Sequence, residues 1–433
     1  MSWKQKGDMD CCRIGKLFCS SFYVWWMDIL KLVFVFCVII GVMWMKKPMW
    51  LAVIAASVAT ILLYGLSPDG AIHGIIKGAT ARATIETLVV FYSITFLQRM
   101  MEKRKNLSNA QVAMNGLFNN NRVNASIVPF LLGMLPAAST VLICGPIVRE
   151  SVKDSDLSVP EQACITSYFR HISEAFVPTY TSIFIALGIT EGRVSAGTFI
   201  LAMLPMVAAL FAVGWIFYLR RVPKDTGMVP DQPKGYYWKL LAQSIWAIAL
   251  TIALILIFNL PVWGAVWICI LLNVFVNHFN GKELVPFIRT AFETRLLLST
   301  LLIMIFKELL TETGVITSLP EFFSALPIPT FLVFVLLFLF GTIVAGTQAI
   351  IVLCMPMAME VITPGHTGLA LFTLLMCIGY VAMQISPTHI CLILCSEDYK
   401  VSLGSMIRRT IPMVALFTLI AIGYYGVLSM MGF

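Results

Sequence analysis

Residues 169–180, with the sequence FRHISEAFVPTY, place an arginine, a histidine, a glutamate and a proline inside an apolar run that extends over 162–187. A run of this length can cross a lipid bilayer. Because ionisable side chains are costly at membrane depth, such a cluster indicates a functional site. The proline removes a backbone donor and interrupts the helix beside these charges. The alternative interpretation is a helix end at the lipid headgroups, where water solvates the charges.

The composition is typical of a membrane protein. Of the 433 residues, 59% are hydrophobic and only 12% are charged, which predicts an all-α polytopic protein of the cell (inner or plasma) membrane with the lipid bilayer as its surroundings. The net charge of +8 comes from Lys and Arg in short loops between apolar runs, so we expect no nucleic-acid partner. The 11 cysteines include no C-x-x-C pair, and we expect no metal site.

About ten apolar runs have the length of a transmembrane helix, and two further segments are interrupted. The ten runs are 28–45, 48–66, 84–101, 162–187, 196–218, 238–259, 261–277, 292–310, 369–394 and 405–428. Segments 126–148 and 331–360 contain small and polar residues and then a cysteine and a proline. We interpret both as re-entrant hairpins. The alternative is an ordinary span with small residues for helix packing.

Short sequence matches indicate an internal duplication, because they recur in the same order at nearly constant separation. The matching pairs are Pro48 with Pro261, Trp50 with Trp263, Pro178 with Pro387, and Pro205 with Pro412. Each half then contains five crossings, one hairpin and one broken helix. Since five is odd, the second half is predicted to be inverted relative to the first, as in transporters that bind their substrate at the bilayer midplane.

The predicted organisation has four parts. They are an N-terminal segment over 1–27, a first inverted repeat over 28–218, a linker over 219–237 and a second inverted repeat over 238–433. The N-terminal segment leaves two interpretations open. Its aromatic patch at 22–26 is an anchor at the membrane interface, or the natural start of the protein is Met27.

The two hairpins and two broken helices are expected to converge on a substrate site. Helix ends at such breaks expose unpaired N–H groups, which attract anions. Arg170 is the best candidate for pairing with a substrate carboxylate, because its guanidinium stays charged and binds bidentately. The alternative is an internal ion pair with Glu174, four residues along the helix, and the two roles do not exclude each other. The predicted substrate-binding residues are Arg170, Ser139, Thr140, Thr347, Gln348 and Thr388.

A coupling ion is expected at the same place. His171 titrates near neutral pH and, with Glu174, is a candidate carrier of a coupling proton. A structural hydrogen bond is the alternative role of His171. Unwound carbonyls and hydroxyls would suit sodium. The residues predicted to bind the coupling ion or proton are His171, Glu174, Thr179, Ser386 and His389. Apart from Na⁺ or H⁺, we expect no cofactor.

The pattern of two hairpins, two interrupted spans and an inverted five-crossing duplication resembles the ion transporter superfamily, which includes the divalent-anion/sodium symporters. The stretches FRHISEAFVP at 169–178 and SPTH at 386–389 are most similar to an uncharacterised integral-membrane family related to the gluconate permeases. In the symporters each hairpin tip carries Ser-Asn-Thr, whereas this chain has Ala138-Ser139-Thr140 and Gly346-Thr347-Gln348 and so lacks the asparagine. The resemblance implies a homodimer with a fixed scaffold and an elevator-like transport part.

The sequence therefore predicts a secondary active transporter of a small organic anion, with a carboxylate as the expected class, coupled to a proton or sodium gradient. The alternative is a cation/proton antiporter without an organic substrate. We predict that the protein is not an enzyme, because the sequence has no metal-ligand spacing, nucleophile elbow or phosphate loop. A passive channel would not need paired interrupted hairpins.

Overall fold

The computed structural model describes residues 27–28, 30–39, 41–42, 45, 47–118, 120–134, 140–178, 180–224, 231–315, 327–362, 366–387 and 389–433. Nearly all of the predicted N-terminal segment lies outside this set. Across the residues that are described, the chain is helical and forms no β-strand. The all-α prediction is confirmed for them.

The described helices follow the same order in both halves of the chain, except that α5 has no described counterpart in the second half. The first half contains α1 (Leu30–Ile39), α2 (Met49–Tyr64), α3 (Pro68–Thr80), α4 (Arg82–Lys103), α5 (Asn106–Leu117), α6 (Asn121–Gly133), α7 (Thr140–Val152), α8 (Val159–Ile172), α9 (Thr181–Ile189) and α10 (Ala196–Phe217). The second half contains α11 (Lys234–Phe258), α12 (Val262–Val276), α13 (Gly281–Thr290), α14 (Thr294–Glu312), α15 (Thr330–Ala345), α16 (Thr347–Glu360), α17 (Leu369–Gln384), α18 (Ile390–Asp398) and α19 (Leu403–Met430). Short 3₁₀ turns follow α8 at Ser173–Ala175 and α10 at Leu219–Arg221.

Three helices of the described chain, α10, α11 and α19, are long and apolar enough to cross a membrane without interruption. Several other apolar helices, among them α12, α15 and α17, are shorter than 18 residues. Two of the predicted runs are divided by breaks, which shortens the helices they contain. The number of ten crossings therefore stays a prediction.

Both proline-containing runs are interrupted at equivalent places. In the first half α8 ends at Ile172, a 3₁₀ turn follows, and α9 begins only at Thr181. In the second half α17 ends at Gln384 and α18 begins at Ile390. Each gap contains a proline, which lacks the backbone N–H and disfavours helical geometry in the residue before it. The first helix ends earlier than its proline alone requires, directly after Arg170 and His171 and before Glu174, which lies in the 3₁₀ turn.

The two predicted hairpins are pairs of packed helices. In the second hairpin, α15 and α16 meet at Gly346, whose φ of 86° and ψ of 157° suit glycine and strain other residues. In the first hairpin, α6 and α7 flank residues 135–139, which lie outside the described set. The helices of each pair pack against each other.

Three short helices, α3, α5 and α13, lie outside the apolar runs that are predicted to cross the membrane. They are too short and too polar to be recognised as membrane helices. Each packs on a longer helix: α3 on α14, α5 on α11 and α13 on α4. An Asn280–Glu283 capping box begins α13.

The two halves pack against each other reciprocally. α3 of the first half contacts α14 of the second, and α13 of the second contacts α4 of the first. At the breaks, α9 contacts α16 and α18 contacts α7. The rings of Phe199 and Phe372 meet edge to face across this boundary with centroids 5.3 Å apart. The buried core is therefore shared between the halves.

A charged cluster at the start of α8 ties three distant segments together. Glu161 completes a capping box with Ser158, and its Oε1 accepts from Arg221 at 2.7 Å and lies 3.3 Å from Arg409. Burial raises the pKa of Glu161, but hydrogen bonds from Ser158 and Arg221 outweigh it, and the pKa lies below its usual range. The contacts of Glu161 with Ser158, Arg221 and Arg409 therefore fix the start of α8, the helix that carries Arg170.

We predict that Glu161→Gln destabilises the protein in a pH-dependent way. Because the folded-state pKa is depressed, the carboxylate stabilises the fold above its unfolded-state pKa of about 4.3, and this contribution is lost as the pH falls through the folded-state value. Thermal unfolding of wild type and variant in detergent, from pH 7 to acidic pH, measures the difference.

The matched control is Glu150→Gln. Its pair with Lys153 leaves about half of each side chain exposed, so the substitution should change stability little. A wild-type advantage over Glu161→Gln that persists unchanged into strong acid would contradict the assignment.

Candidate functional site

The candidate site lies where α8 ends, and its centre is a buried ion pair. Arg170 Nη1 donates to Glu174 Oε2 at 2.7 Å. The arginine side chain is 2% exposed and the glutamate 17% exposed. Glu174 stands in the 3₁₀ turn that continues α8, so the helix keeps the two residues on one face up to the break. The internal ion pair, which the sequence left as an alternative, is present.

A pair of histidines joins this ion pair to the second half of the chain. His171 is fully buried, and its Nε2 lies 3.0 Å from Nε2 of His389, just before α18. The His171 Nε2 is also 3.9 Å from Glu174 Oε2. Its other nitrogen, Nδ1, lies 2.5 Å from the Ser167 carbonyl oxygen and 3.2 Å from the Ser167 hydroxyl. Both breaks therefore meet at one cluster of titratable groups.

The first hairpin contacts this cluster through the backbone. Tyr180, after the first break, donates its hydroxyl hydrogen to the Gly133 carbonyl at the end of α6. The Tyr180 ring centroid is 5.9 Å from the Arg170 guanidinium carbon. Gly133 lies so close to the end of α8 that a Cβ there would overlap the carbonyl oxygen of Arg170 and the hydroxyl of Ser173. Only glycine fits at this contact.

The second hairpin is tied to the second break in a different way. Ser386 is buried and donates its hydroxyl hydrogen to the Ile343 carbonyl in α15 at 3.0 Å. Gln384 is also buried and donates to the Tyr380 hydroxyl at 3.0 Å. Ser386 and Gln384 therefore form hydrogen bonds with neighbouring protein groups. In the second half, the polar residue that contacts the Arg170 cluster is His389.

The remaining predicted site residues are placed less centrally. Thr140 begins α7 and is fully buried. Thr347 and Gln348 begin α16, where Thr347 is half-buried and Gln348 is exposed. Within the described chain, neither of these two forms a hydrogen bond with the cluster. The predicted residues Ser139, Thr179 and Thr388 lie outside the described residues.

Cys391 was not among the predicted site residues. Its thiol lies beside the two histidines: the ligand atoms of His171, His389 and Cys391 are all within 4.8 Å of one another. Cys391 is buried and His389 half-buried. The H-x-C spacing at 389–391 was a local signal, but the third member stands 218 residues away from His389. These three side chains could together hold a metal ion.

We predict that Gly133→Ala destabilises the protein by about 1–3 kcal/mol, because the added methyl group overpacks the contact with Arg170 and Ser173. Thermal unfolding in detergent measures the change. Gly197→Ala in α10 is the control, since its Cβ would meet its nearest neighbours at an ordinary 3.6 Å. Equal stability of the two variants would show that the first hairpin does not press on the end of α8.

The fold is similar to that of a known transporter. A search of solved structures finds the YdaH transporter of Alcanivorax borkumensis, with a TM-score of 0.55, 14% sequence identity, and coverage of 85% of this chain and 90% of that chain. At 14% sequence identity, the similarity concerns the fold alone and not the substrate. Together with the three long apolar helices, it points to a multi-pass membrane protein.

Comparison of sequences gives the family but no activity. No curated protein sequence matches the chain significantly. The resemblances to the gluconate permeases and to the ion transporter superfamily stay predictions. A family model described as "Protein of unknown function (DUF401)" matches residues 29–428, which is most of the chain. The protein therefore belongs to the DUF401 family.

Proposed function

We propose that the protein is a secondary active transporter of a small organic anion, of the carboxylate class, driven by an ion gradient. The observation that carries the proposal is the buried Arg170–Glu174 ion pair at the point where two broken helices meet. A charged guanidinium at such a depth needs an anionic partner. The fold shared with a transporter supports transport as the role of this arrangement.

The proposed architecture is a pair of inverted five-crossing repeats, each with a re-entrant hairpin and a broken helix. Apart from α5, the described helices of the two halves follow the same order, which supports the duplication. The reciprocal packing of α3 on α14 and α13 on α4, and of α9 on α16 and α18 on α7, supports a two-fold relation between them. In this architecture the cluster lies near the bilayer midplane. A homodimer in the cell membrane with a moving transport part completes the proposal.

We propose proton coupling through competition for Arg170. The guanidinium faces the Glu174 carboxylate at 2.7 Å, and a substrate carboxylate would need the same donors. Protonation of Glu174 removes its negative charge and releases the guanidinium, which then binds the substrate bidentately. Deprotonation restores the internal pair and expels the substrate. One proton would therefore move with each anion.

The first test concerns binding. Small carboxylates should raise the unfolding temperature of the purified protein, more strongly at acidic than at alkaline pH. Arg170→Ala should abolish the shift, because loss of a buried charged partner costs about 2–5 kcal/mol, which is about 30-fold or more in affinity.

The control for this test is Arg82→Ala, which removes an exposed arginine from an i,i+4 pair of the same spacing with Glu86 and should leave the shift unchanged. If no small carboxylate stabilises the wild type at any pH, with or without sodium, the organic-anion proposal fails.

The second test concerns coupling and uses Glu174→Gln, which imitates the protonated glutamate. In proteoliposomes the wild type should accumulate a labelled carboxylate when a proton gradient is imposed. The variant should still exchange internal for external substrate, but it should lose gradient-driven accumulation, because the glutamine carries no proton. Glu86→Gln is the control and should behave as wild type.

Two outcomes would redirect the proposal. Accumulation that follows a sodium gradient in both wild type and Glu174→Gln would assign the coupling to sodium. A proton flux in response to added sodium without any anion, reported by a pH-sensitive dye in vesicles, would favour the cation/proton antiporter. The contact of Glu174 with His171 at 3.9 Å gives that alternative its exchanging groups.

A further inference from the structure

We propose that His171, His389 and Cys391 form a binding site for a thiophilic divalent transition-metal ion of the Zn²⁺ class. The three side chains offer two imidazole nitrogens and one thiol sulfur, and these atoms lie within 4.8 Å of one another. Imidazole and thiolate together are ligands that Zn²⁺ prefers. No metal site was predicted from the sequence, because it contains no C-x-x-C pair, whereas this site joins His389 and Cys391 to His171, which lies in α8, 218 residues before His389.

The distances fit a metal ion with little movement. Zn²⁺ binds histidine nitrogen at about 2.0–2.1 Å and thiolate sulfur at about 2.3 Å. Two nitrogens on a tetrahedral ion are therefore about 3.3 Å apart, and a nitrogen and a sulfur about 3.6 Å. The two Nε2 atoms are 3.0 Å apart. The Cys391 sulfur lies within 4.8 Å of the two nitrogens and therefore needs to approach by at most about 1.2 Å, which a small rotation of the side chain supplies.

The tautomer of His171 is already suited to a ligand. Its Nδ1 lies 2.5 Å from the Ser167 carbonyl oxygen, and a carbonyl only accepts, so Nδ1 carries the hydrogen. The lone pair is then on Nε2, the atom that faces His389. An outer hydrogen bond of this kind orients histidine ligands in metal sites. Without a metal ion, a hydrogen on His389 Nε2 bridges the pair; binding of the ion requires that His389 carries its hydrogen on Nδ1.

The surrounding charges permit a cation. Arg170 is adjacent to His171 in the chain, and its pair with Glu174 offsets its positive charge. Glu174 Oε2 is 3.9 Å from His171 Nε2 and is therefore a candidate fourth ligand. Three protein ligands with an open or carboxylate-filled fourth position are typical of zinc sites that are not purely structural. Because His389 is half-buried, the ion can reach the site from that side.

The inference does not depend on the proposed transport function. Metal binding is measured on the purified protein and needs no transport assay. The metal site can therefore be disproved while the transport proposal stands, and the reverse also holds. If both hold, the ion lies beside Glu174, the carboxylate that carries the proposed coupling proton and whose Oε2 is 3.9 Å from His171 Nε2, and bound Zn²⁺ should block proton-driven uptake.

The test is a titration of the purified, chelator-treated protein, kept reduced with a phosphine, with Co²⁺ as a coloured substitute and then with Zn²⁺. We expect one high-affinity ion per chain, with a thiolate-to-cobalt charge-transfer band that Zn²⁺ removes. Cys391→Ser should abolish the band and weaken Zn²⁺ binding about 100-fold or more, since even the loss of an outer-sphere partner costs about 10- to 100-fold. His389→Gln should weaken Zn²⁺ binding similarly.

Two control substitutions are matched to these residues. Cys395→Ser changes another buried thiol one turn further along α18, which donates to the Ala163 carbonyl at 3.3 Å. His366→Gln changes an exposed histidine that contacts the Gly432 carbonyl oxygen. Both controls should retain the band and the affinity. Equal losses in the controls, or unchanged binding in Cys391→Ser, would overturn the proposal.

X-ray absorption of the Zn²⁺-loaded wild type keeps the test independent of how the variants fold. We expect one sulfur at about 2.3 Å and nitrogen or oxygen ligands at about 2.0–2.1 Å. A first shell without sulfur, or no stoichiometric binding at all, would overturn the proposal.

Discussion

The Arg170–Glu174 ion pair imposes the main constraint on this structure. A guanidinium that is 2% exposed in an apolar core requires an opposite charge and further hydrogen-bond acceptors. The end of α8 supplies the carboxylate within one helical turn, and the break that follows frees backbone groups close to it. The break therefore helps to accommodate the buried charge. An unbroken helix would use its own backbone carbonyls for intrahelical hydrogen bonds and would leave none of them for the guanidinium.

The same cluster explains why the two halves must pack together. The first half supplies Arg170, His171 and Glu174, and the second supplies His389 across a 3.0 Å contact. The hairpins hold this arrangement from both sides, through Tyr180 on the Gly133 carbonyl and Ser386 on the Ile343 carbonyl. A displacement of either hairpin would therefore move residues that lie next to the cluster.

A carboxylate substrate, a proton and a transition-metal ion would all bind through groups that already satisfy one another. Arg170 is shared between Glu174 and the proposed substrate, and Glu174 is shared between Arg170, the proposed coupling proton and, as a candidate ligand, the proposed metal ion. Competition of this kind couples binding events by charge alone, because each ligand must displace an existing partner. It needs no separate allosteric element.

The sequence by itself determined those features that depend on short stretches. Composition and apolar runs indicated a helical membrane protein, the prolines at 178 and 387 located the breaks, and the i,i+4 spacing of Arg170 and Glu174 offered the ion pair. The short helices α3, α5 and α13 were not predicted, because packing on neighbouring helices stabilises them more than their own sequences do.

Only the tertiary structure decided which side chains meet. The pairing of His171 with His389 joins residues 218 positions apart, and neither neighbourhood in the sequence specifies the other. Cys391 resembled any cysteine in an apolar run until the packing of α18 placed it beside two imidazoles. Gly133 required glycine only because α6 ends against the Arg170 carbonyl. Local patterns specify breaks and charges, whereas the distances between the halves follow from how the whole core packs.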